Sequence, residues 1–135
     1  TGCAAAANMA LTHRDYAQAV TFVTGHAKGD AEPELDWSAL AALKNTLVIY
    51  MGVSKAEMIA DKFIAHGRAP STPVAIIENG TRENQKIVKG ALGELARLID
   101  AGEIKGPAVL VIGEVAALAD GETLAQLAAR ERLVA

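Results

Sequence analysis

The stretch PAVLVI at residues 107–112 is the clearest strand in this sequence. A second apolar run, TLVIY at residues 46–50, is rich in β-branched residues and has the pattern of a strand covered on both faces. Two further strands are predicted at residues 19–24 and 74–77, each followed by a turn that contains glycine. Because helical patterns alternate with these strands, the sequence predicts an α/β fold.

Apolar residues at helical spacing predict helices at residues 37–43, 54–66, 93–104 and from 121 onward. Ser54 and Glu57 have the spacing of a capping box, and Gly67 stands where a C-terminal cap is expected. Residues 85–92 fit either a strand or a helix, and the alternation around Ile87 favours a strand. The predicted architecture is a mixed sheet of about five strands flanked by helices.

The composition excludes several classes of function. The net charge of −3 provides no basic surface for DNA or RNA, so no nucleic-acid partner is expected. The single cysteine, Cys3, cannot form an internal disulfide, and no Cys/His cluster has zinc-site spacing, so no metal is expected. No apolar run approaches the ~20 residues of a membrane span, which predicts a cytoplasmic protein without a membrane partner.

Four segments together resemble a known family. The C-terminal domain of uroporphyrinogen-III C-methyltransferases, including the methylase module of sirohaem synthase, has similar segments in the same order. In this chain they are LTHR at 11–14 leading into FVTGH at 22–26, VIYMG at 48–52, PVAIIENGT at 73–81 and PAVLVIG at 107–113.

The resemblance implies the C-terminal domain of the tetrapyrrole methylase fold, in a homodimer that binds S-adenosylmethionine between two domains. It also implies methylation of uroporphyrinogen III at C2 and C7, giving precorrin-2 and S-adenosylhomocysteine. The family's Gly-x-Gly-x-Gly-Asp and Gly-Asp-Pro segments do not occur here, and residues 1–9 have the pattern of a helix already under way. We therefore expect the N-terminal domain, with the catalytic residues, to be missing. Residues 1–120 are expected to form the C-terminal domain, and 121–135 a terminal helix or tail.

Cofactor contacts are expected at Met51, Gly80 and Ala108, because the resemblance matches Met51 and Gly80 to cofactor-contacting positions. Both follow predicted strand ends, where open α/β sheets place their ligands, so they could line one cleft. Without the resemblance, Met51 is an ordinary core methionine and Asn79-Gly80 an ordinary turn. Main-chain groups at the strand ends are expected to supply the hydrogen bonds.

Substrate contacts are expected mainly from cationic residues, because the implied substrate carries eight carboxylates. Arg14 is the first candidate, followed by His13 and Arg82, and Tyr50 can contribute only if its strand breaks after it. Arg14 could equally orient its loop or serve a dimer contact.

Two other functions stay open from the sequence. One is a methylase of the same fold that acts on a later corrin precursor or on diphthine, and the other is a domain that is inert when isolated and only dimerises or binds. Whether the parent protein is a stand-alone methylase or is fused to further sirohaem synthase modules also stays open.

Overall fold

The computed structural model describes residues 1–29 and 33–134 of the chain. Its strands are β1 (Val20–Thr24), β2 (Thr46–Tyr50), β3 (Pro73–Glu78), β4 (Lys86–Ala91) and β5 (Ala108–Ile112). Its α-helices are α1 (Gly2–Ala6), α2 (Trp37–Ala42), α3 (Ala56–Ala65), α4 (Leu95–Ala101) and α5 (Leu124–Val134). Short 3-10 helices cover Val53–Lys55, Leu92–Glu94 and Glu114–Leu118.

The five strands form one mixed sheet in the order β1-β2-β5-β3-β4. The β1 and β2 strands are parallel, whereas β5 runs antiparallel to both of its neighbours, β2 and β3, and β4 runs antiparallel to β3. The carboxyl ends of β1, β2 and β3 therefore share one edge with the amino ends of β4 and β5. The predicted mixed sheet of about five strands is confirmed.

The two faces of the sheet are covered unequally. One face carries large aliphatic residues that pack under α2 to α5, where Trp37 and Phe63 meet edge to face with their ring centroids 5.2 Å apart. The other face packs mostly small residues of α1 and of the 3-10 helix Glu114–Leu118 against Ala75, Ile77 and Val111. Small residues allow these short elements to lie close to the sheet.

The predicted strands agree closely with the observed ones, including β4, which shows that residues 86–91 of the ambiguous segment 85–92 form a strand. The prediction of a capping box at Ser54 and Glu57 was wrong. A 3-10 turn, Val53–Lys55, precedes α3, whose N-cap is Lys55 and has no side-chain hydrogen bond. Gly67 does end α3: its φ is +101°, and the N–H of Arg68 donates to the Phe63 carbonyl at 2.9 Å, as in a Schellman motif.

The helix predicted at residues 93–104 is shorter, because α4 stops at Ala101. The Ile104 N–H donates to the Ile99 carbonyl at 3.0 Å, and Glu103 takes the left-handed position with φ +52°. This is the same type of helix end without its usual glycine.

A helix does follow residue 121, since α5 packs against α4 and buries Leu127 to 3 % exposure. The predicted division at residue 120 stays a prediction. In the described ranges, no helix has the length and apolar character needed to cross a membrane.

Candidate functional site

A cavity of about 310 Å³ lies at the sheet edge where β2 and β3 end and β5 begins. Three neighbouring strands and α1 supply its walls: Cys3, Tyr50, Met51, Ile77, Asn79, Gly80, Arg82, Pro107, Ala108 and Val109. Five of the seven residues predicted for the site are in that set. The strand order explains this, because β5 lies between β2 and β3 and places Ala108 between Met51 and Gly80.

The backbone around this cavity is strained. Met51, Asn79 and Thr81 have φ angles of +54°, +49° and +71°, in the left-handed region that non-glycine residues seldom adopt. Such conformations persist only where the surrounding structure imposes them, and they concentrate at functional sites.

Close packing imposes the conformation of Met51. On one side, Gly25 donates its N–H to the Tyr50 carbonyl at 2.7 Å. On the other, a Cβ on Gly52 would lie 2.9 Å from Leu110 Cδ1, so the chain passes there without room for a side chain. Met51 is 61 % exposed. It is a cavity wall, and the alternative of a core methionine is excluded.

The main chain at Met51 and Gly80 is available for a ligand. Within residues 1–29 and 33–134, no other protein group hydrogen-bonds to the N–H or C=O of either residue. By contrast, the Asn79 N–H donates to the Pro107 carbonyl at 2.9 Å, which ties together the turn after β3 and the start of β5. The unpaired main-chain groups of Met51 and Gly80 therefore lie on cavity walls that hydrogen bonds of the adjacent residues hold in place.

Gly80 is required by the packing of α1 against this turn. A Cβ at this position would lie 2.5 Å from Cys3 Sγ and 2.9 Å from Cys3 Cβ, far inside ordinary contact distance. The absence of a side chain on Gly80 allows α1 to close one side of the cavity with the half-buried Cys3 thiol. The sequence alone did not place Cys3 at the cavity, since nothing in the local pattern links residues 3 and 80.

Glu78 is a buried carboxylate directly before this turn, with 5 % exposure. Its Oε1 accepts hydrogen bonds from the N–H of Lys105 at 2.7 Å and of Gly106 at 2.6 Å, and its Oε2 lies 3.8 Å from Lys86 Nζ. Burial acts to raise the pKa of this carboxyl. The two peptide N–H groups and the positive charges of Lys86 and Lys105 outweigh burial and hold the pKa below its ordinary value. The carboxylate is thus charged, with two hydrogen bonds to Oε1 and an ion pair from Oε2 to Lys86.

Tyr50 and Arg82 are solvent-exposed residues that line the cavity. The strand ends at Tyr50, and the turn at Met51 allows both consecutive residues to reach the cavity. Tyr50 is 39 % exposed, and its ring stacks on Phe22 with ring centroids 6.2 Å apart. Arg82 is exposed and is the one cationic side chain among the described residues that line the cavity.

His13 and Arg14 are not brought to this cavity. The His13 ring stacks on Tyr16 at 4.6 Å, and the neighbouring Tyr16 and Ala17 border a second cavity with residues that precede β2 and β3. That cavity lies at the opposite edge of the sheet. Arg14 is exposed in the same segment. The substrate contacts predicted for these two residues stay predictions.

The profile of the family described as Tetrapyrrole (Corrin/Porphyrin) Methylases matches residues 1–96. A siroheme synthase from Pseudoalteromonas translucida is 57 % identical over 117 residues, which are 87 % of this chain and 24 % of that protein. A siroheme synthase from Psychromonas ingrahamii is 52 % identical over 120 residues, 89 % of this chain and 25 % of that protein. The chain thus spans about a quarter of the length of the curated relatives it matches.

Solved structures with the same fold include methyltransferases that act on tetrapyrroles. The uroporphyrin-III C-methyl transferase from Thermus thermophilus complexed with S-adenyl homocysteine matches with a TM-score of 0.73 and 30 % identity, over 87 % of this chain and 51 % of that one. A cobalt precorrin-4 methyltransferase of cobalamin biosynthesis matches with a TM-score of 0.75 and 26 % identity, over 85 % of this chain and 48 % of that one. The chain spans about half of each structure.

Proposed function

Because this chain belongs to the tetrapyrrole (corrin/porphyrin) methylase family, we propose that it forms one wall of the S-adenosylmethionine cleft of a uroporphyrinogen-III C-methyltransferase. The observation that carries this proposal is the cavity itself. Met51, Gly80 and Ala108 come from three strands that are adjacent in the sheet, and they meet at the edge where α/β sheets bind ligands. The matching Thermus thermophilus structure contains S-adenyl homocysteine, which supports the choice of cofactor.

The residues around the cavity fit this cofactor. An adenosyl group has apolar ring faces and a polar edge, and the walls offer apolar side chains in Ile77, Val109 and the exposed Met51. The Met51 thioether is soft and adapts well to a ring or a sulfonium nearby. The free N–H and C=O groups of Met51 and Gly80 can pair with the polar edge.

When bound, S-adenosylmethionine supplies an electrophilic methyl group on a sulfonium. The pyrrole carbon that accepts it is electron-rich, so the residues of this chain need only hold the cofactor, align the two partners and keep water out. No residue of this chain is assigned to acid or base catalysis. We assign that chemistry to a second domain, because the chain spans only about half of the solved structures it resembles.

We assign substrate carboxylates to Arg82 first, since it stands at the cavity while Arg14 and His13 lie in another segment. Tyr50, an exposed residue, lines the same cavity. The proposal includes methylation at C2 and C7 to give precorrin-2, and a homodimeric parent protein in the cytoplasm. A second candidate is methylation of a later corrin precursor, favoured by the likeness to the cobalt precorrin-4 methyltransferase.

The complete gene product incubated with uroporphyrinogen III and S-adenosylmethionine should yield a doubly methylated tetrapyrrole, detected by mass and absorption. Failure to methylate uroporphyrinogen III would refute the leading assignment, and methylation of a later corrin precursor in its place would establish the second candidate.

The contribution of Met51 is tested by Met51→Glu in the complete gene product. A carboxylate in this wall must lose water beside the ligand, so the Kd for S-adenosylhomocysteine should rise by at least about tenfold. The matched control is Leu118→Glu, which changes an equally apolar, 48 % exposed residue of the Glu114–Leu118 helix. An unchanged Kd in the Met51 variant would remove Met51 from the site.

The need for a second domain is tested on the 135-residue chain alone. Calorimetry should show very weak cofactor binding, since the cavity is open and its walls cover one side of a ligand. Micromolar binding by this chain alone would contradict a cleft that requires both domains. Micromolar binding would also exclude the alternative of an inert domain that only dimerises.

A further inference from the structure

The two walls of the cavity are joined behind the lining residues by one side chain. Glu78 is not among the described residues that line the cavity, yet its Oε1 bridges from β3 to the N–H groups of Lys105 and Gly106. These two residues directly precede Pro107 and Ala108, which line the cavity. The bridge therefore links the turn that carries Gly80 to the segment that carries Ala108.

The segment after α4 is held from Pro107 onward by the Asn79 N–H and by the pairing of β5 with β3, and at Lys105 and Gly106 by Glu78 Oε1. It leaves the helix through Glu103 in a left-handed conformation and then runs through Gly106. A Cβ on Gly106 would lie 3.0 Å from Asn79 Oδ1, so the segment approaches the turn after β3 very closely. Lys86 adds a second tie, donating from Nζ to the Gly102 carbonyl at 2.7 Å while it faces Glu78.

We propose that Glu78 is a positioning residue for the cofactor pocket: its carboxylate, without touching the ligand, sets the separation between the Gly80 wall and the Pro107-Ala108 wall. This inference rests on the proposed cofactor site. This positioning role differs from a role in folding alone. The hydrogen bonds of Glu78 end on the segment that forms a cavity wall, whereas the main hydrophobic core lies between the sheet and α2 to α5.

Two substitutions of Glu78 separate the effect of side-chain length from the effect of charge. Glu78→Gln keeps the length of the side chain, and its amide oxygen can still accept both N–H bonds. Glu78→Asp keeps the charge but is one methylene too short to reach them. If the bridge sets the pocket, Glu78→Asp should raise the Kd for S-adenosylhomocysteine by about tenfold or more, and Glu78→Gln by less than about threefold.

A control variant accounts for general loss of stability. Val115→Ala creates a small cavity at a fully buried residue beyond the other end of β5. Thermal midpoints and the Kd for S-adenosylhomocysteine are measured for all variants in the complete gene product. At a comparable loss of thermal midpoint, Val115→Ala should leave the Kd unchanged.

The outcomes are distinct. Equal Kd values for Glu78→Asp and the unaltered protein would overturn the positioning role, as would an equal rise in Kd for Val115→Ala. A larger effect of Glu78→Gln than of Glu78→Asp would show that charge, not reach, is what matters, and would also overturn it. If the unaltered protein does not bind S-adenosylhomocysteine, the proposed function fails and this inference fails with it.

Discussion

Replacing Gly80 with alanine tests whether packing between α1 and the turn after β3 sets the wall of the cavity. The new Cβ would lie 2.5 Å from Cys3 Sγ, 2.9 Å from Cys3 Cβ and 3.3 Å from Cys3 Cα. Because one of these atoms belongs to the backbone, rotating the Cys3 side chain cannot relieve the contact completely. Either α1 or the turn must move.

The expected cost follows from the size of the overlap. Inserting one methyl group into a packed site costs about 1–3 kcal/mol, and here we expect roughly 2 kcal/mol. For a domain of this length that loss should lower Tm by about 6–10 °C. Adding Cys3→Gly removes Sγ and Cβ, so the double variant should recover about 1–2 kcal/mol relative to the sum of the two single changes.

The measurement is denaturant and thermal unfolding of the 135-residue chain and its variants, analysed as a double-mutant cycle. Gly2→Ala is the matched control, because it adds a methyl group to the same helix where the nearest atom, Thr81 Cγ2, is 4.0 Å away. That variant should be neutral or slightly stabilised. A Gly80→Ala variant as stable as the unaltered chain, or a cycle with no coupling, would refute this account of the wall.

Met51→Gly should raise the free energy of unfolding by about 0.5–1 kcal/mol, because glycine relieves the strain of a φ of +54°. The Kd for S-adenosylhomocysteine should rise in the same variant because the thioether is lost. A less stable variant would contradict the strain at Met51. Thr46→Val should stabilise the chain by about 1 kcal/mol in urea unfolding, since the buried Thr46 Oγ1 has no hydrogen-bond partner among the described residues; a loss of stability would reveal a partner for the hydroxyl. Glu78, which faces Lys86 and Lys105, has a lowered pKa in the folded chain. Its charged form therefore stabilises the fold at pH values above its ordinary pKa, and this stabilisation is lost as the pH falls through the folded-state pKa. Unfolding measured against pH should therefore show a steeper acid loss for the unaltered chain than for Glu78→Gln, and parallel curves would contradict a depressed pKa.

Strand and helix positions were largely predictable from the sequence. Continuous apolar runs rich in β-branched residues, such as TLVIY and PAVLVI, favour a strand covered on both faces, and the observed bounds of β2 match the prediction. Helix ends were less predictable, because they depend on backbone hydrogen bonds. Ser54 and Glu57 have the right spacing for a capping box, yet a 3-10 turn precedes α3 and leaves the box unformed.

What the sequence by itself determined about this protein is the α/β class, the strand positions and a pair of residues, Met51 and Gly80, placed after strand ends. Only the tertiary structure decided that they share one cavity, because the antiparallel β5 enters between β2 and β3 from far along the chain. It also decided that Cys3 closes that cavity and that Glu78 joins its walls. These contacts join residues 27 to 77 positions apart. Local propensity and residue spacing cannot predict them, because only the topology of the sheet brings these residues together.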